Sequence, residues 1–129
     1  MTATSLEVLG EVITVFRKCG QDPQPFVDIM TGTMFGGRVH RIYGNKIVAE
    51  SYAPGLIMPL ALKDVRLALA EAEKAGVPMP SVGVVRDRLV TGIARGHAGL
   101  DWTAFGLVAA EEAGIDEIAN RRHREIGRK

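Results

Sequence analysis

Apolar residues recur along this chain at intervals of three and four, the period of one helical face, and hardly anywhere in the strict alternation of a half-buried strand. Leu6, Leu9, Val12, Ile13 and Phe16 form the first such stripe. Ser5 is placed to cap that helix, Glu7 lies near its positive end, and Gly20 can close it in a left-handed conformation. Asp22 and Pro23 then read as N-cap and first residue of a second helix carrying Phe26, Val27 and Met30 and stopping near Gly32. From Thr31 to Gly55 the pattern is less regular, with glycines at 32, 36, 37, 44 and 55 and one helix predicted over Arg38 to Val48. Loops of this composition often border a site.

The clearest stripe comes next. Met58, Leu62, Val65, Leu69 and Ala72 are spaced 4, 3, 4 and 3, which predicts a long helix from about Ile57 to Ala75 with one face in a core. Pro59 is tolerable because it falls in the first turn, and Gly76 ends the helix. Lys63 and Asp64 interrupt the apolar run. Lys63 stands at the stripe's edge, where its methylenes can pack on the core while its ammonium reaches water or a cleft; on spacing alone this is the pattern of a snorkelling surface lysine.

Beyond Pro78-Met79-Pro80, Ser81 can cap a helix that presents Val82, Val85, Leu89 and Ile93 and ends at Gly96. Asp101 caps the next, with Trp102, Phe105, Leu107 and Val108. The expected fold class is all-α: a helical domain over residues 1–115, followed by a charged C-terminal helix or tail over 116–129 that holds Arg121, Arg122, His123, Arg124, Arg128 and Lys129.

Composition removes several classes of function. The 129 residues are 47% hydrophobic and 24% charged, ordinary for one globular domain, and a net charge of +1 supplies no field to attract nucleic acid or an anionic membrane. Acidic residues interleave the C-terminal arginines and no aromatic lies among them, so base stacking has no platform. No run approaches a membrane span, and the start lacks the pattern of a signal peptide, which makes cytoplasm the expected compartment. Cys19, the single cysteine, is placed on the inward stripe of the first helix as an inert buried thiol.

His40, His97 and His123 are far apart with no ligand at metal-type spacing, and no metal site is assigned. Ser51 and Ser81 lack the spacing of a nucleophile elbow. Gly32-Thr33-Met34-Phe35-Gly36-Gly37 is glycine-rich but has the wrong spacing and no preceding strand for a dinucleotide fingerprint.

Gly55, then Lys63-Asp64 with Leu67-Ala68, a Glu/Ala-rich turn and Ala75-Gly76-Val77-Pro78-Met79-Pro80 resemble the C-terminal helical domain of the β-hydroxyacid dehydrogenases. That group includes 3-hydroxyisobutyrate dehydrogenase and the tartronate semialdehyde reductases, and its fold is the C-terminal one of 6-phosphogluconate dehydrogenase-like enzymes. Glu11 followed by Gly20-Gln21-Asp22-Pro23 is similar to the family's Glu, then Gly-Leu-Asp-Pro, and Gly99-Leu100-Asp101-Trp102 to the Asp-x-Ser/Ala step that opens its last helices. The resemblance runs in order to about Gly114.

What it implies is an NAD(P)-dependent oxidoreductase passing hydride between nicotinamide and a small hydroxy acid or semialdehyde. Lys63 is implied to lie at the interdomain cleft as a cofactor-binding residue, close to the nicotinamide end. The family's catalytic lysine and a nearby asparagine fall about four turns before Glu11, upstream of Met1, so no catalytic residue is assigned. The expectation is therefore a domain of a longer dehydrogenase, inactive by itself and without bound NAD or NADP, its Rossmann domain absent. Leu56 stands where many relatives carry Phe on the active-site wall, leaving the substrate-binding residues unassigned. The strongly apolar first helix, with Val15 added to its stripe, points to a homodimer. A free-standing helical oligomerising domain without catalysis is the alternative.

Overall fold

In the computed structural model, which describes residues 1–115, six α-helices follow one another: α1 (Thr2–Lys18), α2 (Gln24–Gly32), α3 (Arg38–Val48), α4 (Met58–Lys74), α5 (Pro80–Ala94) and α6 (Phe105–Glu112). A single 3-10 turn, Trp102–Ala104, leads into α6. Among the described residues there is no strand, only an isolated antiparallel bridge between Ile57 and Asp101. The all-α expectation holds. The expected charged segment 116–129 lies outside the described residues.

α6 is the axis of the fold. Phe105, Gly106, Leu107, Val108, Ala109 and Ala110 are all buried, so the helix is covered on every side rather than along one stripe. It packs against α1, α5 and the 3-10 turn and touches α3. The crossing with α1 brings backbones together: a β-carbon added at Gly10 would lie 3.1 Å from the Gly106 nitrogen and 3.2 Å from its α-carbon. A β-carbon on Gly106 would overlap the Ile47 side chain, with the Tyr52 hydroxyl 3.3 Å away.

Two apolar clusters are built round this crossing. The larger joins Leu6, Met58, Leu62, Val85, Leu89, Phe105 and Val108, so α1, α4, α5 and α6 share one core. The smaller holds Ile13, Val27 and Ile47, with Leu9, Phe26 and Val48 packed on it, and ties α2 and α3 to α1. Arg17 reinforces that tie. Its guanidinium donates to the carbonyls of Ile47 (2.8 Å) and Val48 (3.1 Å) at the end of α3 and pairs with Glu50 at 3.4 Å.

The chain breaks fall where the sequence places them. Gly20, Gly76 and Gly96 have φ of 70°, 68° and 91°, the left-handed values that stop a helix. The N–H of Gln24 bonds the Asp22 carboxylate at 2.9 Å, as an N-terminal cap should. Three details differ. α1 begins at Thr2, because Ala3 packs on the larger core, and Ser5 lies inside the first turn with its hydroxyl donating to the Met1 carbonyl. Ser81 is likewise inside a helix, since Pro80, which has no N–H to satisfy, already opens α5. Cys19 is exposed rather than buried: α1 turns Leu6, Glu7, Gly10, Ile13 and Thr14 inward, and Cys19, at the C-cap, lies opposite that face.

Two glycine substitutions separate crowding from propensity. Gly106→Ala should lower unfolding stability by about 1–3 kcal/mol, because Ile47 is fully buried and cannot move aside. Gly83→Ala in α5, where an added β-carbon meets nothing within 4 Å, should raise it by about 0.5–1 kcal/mol. Urea unfolding of both variants checks the pair, and equal effects would show that the α1–α6 crossing is not close-packed.

Candidate functional site

The segment that aims α4 is held by one carboxylate. Asp101 is 1% exposed. Its Oδ1 accepts hydrogen bonds from the Thr103 hydroxyl (2.6 Å) and N–H (3.1 Å), which caps the 3-10 turn. Its Oδ2 accepts from the N–H groups of Gly55 (3.0 Å) and Leu56 (3.2 Å) and lies 3.5 Å from the Lys46 ammonium. Backbone bonds complete the seam: Asp101 N–H to the Tyr52 carbonyl (3.1 Å), Trp102 N–H to Leu56 (2.8 Å) and Met58 N–H to Leu100 (3.2 Å). Burial alone would raise the Asp101 carboxyl above its ordinary 3.8, but the Thr103 hydroxyl and the N–H groups of Thr103, Gly55 and Leu56 outweigh it and hold the group below that value.

With its N-terminus pinned, α4 turns Met58, Ala61 and Leu62 inward. Lys63 therefore emerges on the outer side, its side chain 63% exposed and its Nζ 3.4 Å from the Asp64 carboxylate. That pair is a screened surface contact worth little. The Lys63 ammonium is thus open to an incoming anionic or carbonyl group.

The other residues singled out from sequence are dispersed. Glu11 faces Arg88 of α5 at 3.4 Å, and Leu56 is half-buried in the Asp101 seam. His97 bonds Glu111 at 2.7 Å, while His40 packs 5.9 Å from the Phe35 ring; His123 lies outside the described residues. Among the described residues no three His, Cys, Asp or Glu side chains converge as metal ligands would. No helix among them is long and apolar enough to cross a membrane.

A half-open apolar groove of about 270 Å3 runs between α1, α2 and α3, its walls including Val8, Leu9, Val12, Phe26, Met30 and Phe35. Lys63 is not part of its lining. The structure accordingly separates a polar surface at the start of α4 from an apolar one on α1. Local spacing discloses the cap role of Asp101; its hold on Gly55 and Leu56 spans 46 and 45 residues, which no local spacing can disclose.

A family described as the NAD-binding domain of NADP-dependent 3-hydroxyisobutyrate dehydrogenase matches residues 1–109, and the chain belongs to that family. An uncharacterized oxidoreductase of Bacillus subtilis is 31% identical over 106 residues, 81% of this chain and 37% of that protein. The 2-hydroxy-3-oxopropionate reductase of Escherichia coli is 25% identical over 105 residues, 81% of this chain and 36% of the reductase. A crystal structure of 3-hydroxyisobutyrate dehydrogenase from Salmonella typhimurium superposes with a TM-score of 0.76 at 15% identity, over 83% of this chain and 38% of that one, and so shares its fold. The chain spans a little over one third of the length of these relatives, 37% of the first.

Asp101 should act as an ionised lock. Because its folded-state value is depressed, its contribution is complete above the unfolded carboxylate range, near pH 4, and is lost as pH falls through the folded value. Asp101→Asn should cost about 2–4 kcal/mol at pH 7 and flatten the loss of stability as pH falls below about 4. Urea midpoints measured across that range decide the matter; an unchanged acid limb in the variant would mean the carboxylate is not the lock.

Proposed function

We propose that this chain is the substrate and dimerisation domain of an NAD(P)-dependent β-hydroxyacid dehydrogenase, acting together with a dinucleotide-binding domain. The observation that carries the reading is the family match over residues 1–109, with relatives named as oxidoreductases and a shared fold behind it. The sequence has no Gly-x-Gly-x-x-Gly of its own to receive a pyrophosphate, so the nucleotide is held mainly by the partner domain. NAD or NADP, when bound, supplies the hydride acceptor for a hydroxy acid or the donor for a semialdehyde.

This chain's part is cationic and positional. Lys63 fits the role of cofactor-binding residue because its ammonium is exposed and only loosely paired, leaving donors for the amide, hydroxyl or phosphate oxygens of a nicotinamide nucleotide. Asp101, by fixing Gly55 and Leu56, sets the direction from which Lys63 is presented. Asp64 draws the free lysine back toward the helix, and Leu56 contributes a smaller wall than a phenyl ring would. The proton that leaves the substrate hydroxyl as hydride departs is taken by a group outside this chain.

In the polypeptide that joins this domain to its dinucleotide-binding domain, Lys63→Ala should lower kcat/KM about tenfold or more, roughly 1.4 kcal/mol or greater. The melting temperature should stay within about a degree or two, since the side chain is solvated. The 129-residue chain without that domain serves as a control and should not oxidise 3-hydroxyisobutyrate with NAD or NADP. Unaltered kcat/KM in the variant would return Lys63 to an ordinary surface lysine, and turnover by the chain alone would overturn the division of labour.

Self-association belongs to the same reading. Val8 and Val15 lie seven residues apart on one face of α1, 54% and 60% exposed, and continue the apolar groove outward. A two-fold axis would set one such face on another. Leu9 and Phe16 are poorer probes, because Leu9 packs on the smaller core and Phe16 stacks on Phe26 with ring centroids 5.2 Å apart. Sedimentation equilibrium should show a dimer at tens of micromolar that Val8→Glu with Val15→Glu converts to a folded monomer. A parent chain that is already monomeric there would refute the interface.

A further inference from the structure

The junction of α1, α5 and α6 holds more carboxylate than it can neutralise. Arg88 of α5, with its side chain 12% exposed, is met by three acids: Glu7 at 2.6 Å, Glu112 in direct contact and Glu11 at 3.4 Å. Arg95 adds a second cation, but it is shared between Glu111 at 3.0 Å and Glu112 at 3.8 Å, and Glu111 also meets His97. Asp87 is matched by Arg86 at 2.8 Å. Four carboxylates, Glu7, Glu11, Glu111 and Glu112, therefore face two guanidinium groups, an excess of two acids.

Glu7 makes this more than a solvated acidic patch. The residue is 3% exposed, and its Oε2 is buried with no hydrogen-bond partner, although Oε1 accepts from Arg88. Burial raises its carboxyl above the ordinary 4.5 against the pull of the Arg88 hydrogen bond and charge, with Glu11 and Glu112 adding to the rise. A cavity of about 250 Å3 opens over the same place, lined by Glu7, Val84, Asp87, Arg88, Thr91 and Glu112.

We infer that this cavity binds a short aliphatic primary ammonium. An ammonium presents three donors and no acceptor, which suits the unpaired oxygen of Glu7, the shared carboxylate of Glu112 and the Thr91 hydroxyl; that hydroxyl gives its own proton to the Asp87 carbonyl at 2.9 Å and keeps its lone pairs. Val84 offers an apolar wall to the alkyl chain. Arg88 repels the newcomer, yet it is one charge against three acids, and three of its five N–H donors are already engaged. A free anion meets the carboxylates of Glu7, Asp87 and Glu112 against the single cation Arg88, and a metal ion finds no convergent trio among the described residues. The inference is independent of the dehydrogenase reading.

The probe is n-butylammonium chloride titrated into the 15N-labelled chain at pH 7.5 and constant ionic strength, with 1-butanol as the neutral control. Saturable amide shifts should centre on Glu7, Val84, Arg88, Thr91 and Glu112 with a millimolar dissociation constant, and 1-butanol should give none. Glu7→Gln, which keeps the shape, should weaken binding at least tenfold, and so should lowering the pH until the parent's Glu7 is protonated. Glu112→Gln serves as the second variant should Glu7→Gln not fold. Shifts spread evenly over the acidic surface, equal shifts with the alcohol, or undiminished binding in a folded variant would each overturn the site.

Discussion

The close passage of α1 over α6 is the contact on which the remaining geometry depends. Helices whose axes are held apart by side chains leave room for adjustment; at Gly10 and Gly106 the backbones themselves meet, so the relative position of the two is fixed to within the reach of a missing methyl group. Ile47 and Tyr52 then fill the space above Gly106. Those two residues bracket the end of α3 and the start of the loop toward α4, so the crossing also fixes where that loop leaves the core. The Asp101 seam takes over from there, receiving Tyr52, Gly55 and Leu56 in turn and delivering the first turn of α4 in one orientation. Lys63 inherits its position from this chain of contacts, and among the described residues its own ion pair is the exposed one with Asp64.

What sequence discloses about this fold is what depends on neighbours a few residues away. The 3.6-residue period located α2, α3, α4 and α5 closely, and the left-handed conformations at Gly20, Gly76 and Gly96 follow from glycine's tolerance of them. The cap formed by Asp101 was legible for the same reason, since its partner Thr103 is two residues on. Ser5 and Ser81 misled because a capping residue type signals a helix start only when the preceding residues cannot continue the helix, and Ala3 and Pro80 both could. Cys19 differs because the buried face of α1 runs through Glu7, Gly10 and Thr14 rather than through Leu9, Val12 and Phe16.

The candidate site was legible in one residue and hidden in the rest. Lys63 is conspicuous because it interrupts an apolar run, and the family resemblance implies a role for it. Arg17, Arg88 and Glu7 carried no such mark: charged residues on helices read as a solvated face, and these become buried only through partners 30 to 81 residues away. Identical local patterns are compatible with a charge in water and a charge in a core, because burial is decided by the packing of other elements.

Asp101 and Glu7 show how little burial alone decides about a carboxylate. Both are almost fully enclosed, at 1% and 3% exposure, and each is opposed by desolvation. Asp101 receives four hydrogen bonds, three of them from backbone N–H groups whose positions the fold already sets, and its carboxyl falls below the ordinary value. Glu7 receives one from an arginine that also serves Glu11 and Glu112, keeps one oxygen unbonded, and its carboxyl rises. The difference lies in donor supply, since backbone donors placed in advance need no ordering when the charge forms, whereas a shared side chain divides its attraction among competitors. One group is therefore fitted to hold a loop unchanged across ordinary pH, and the other to respond when a proton or a further cation arrives.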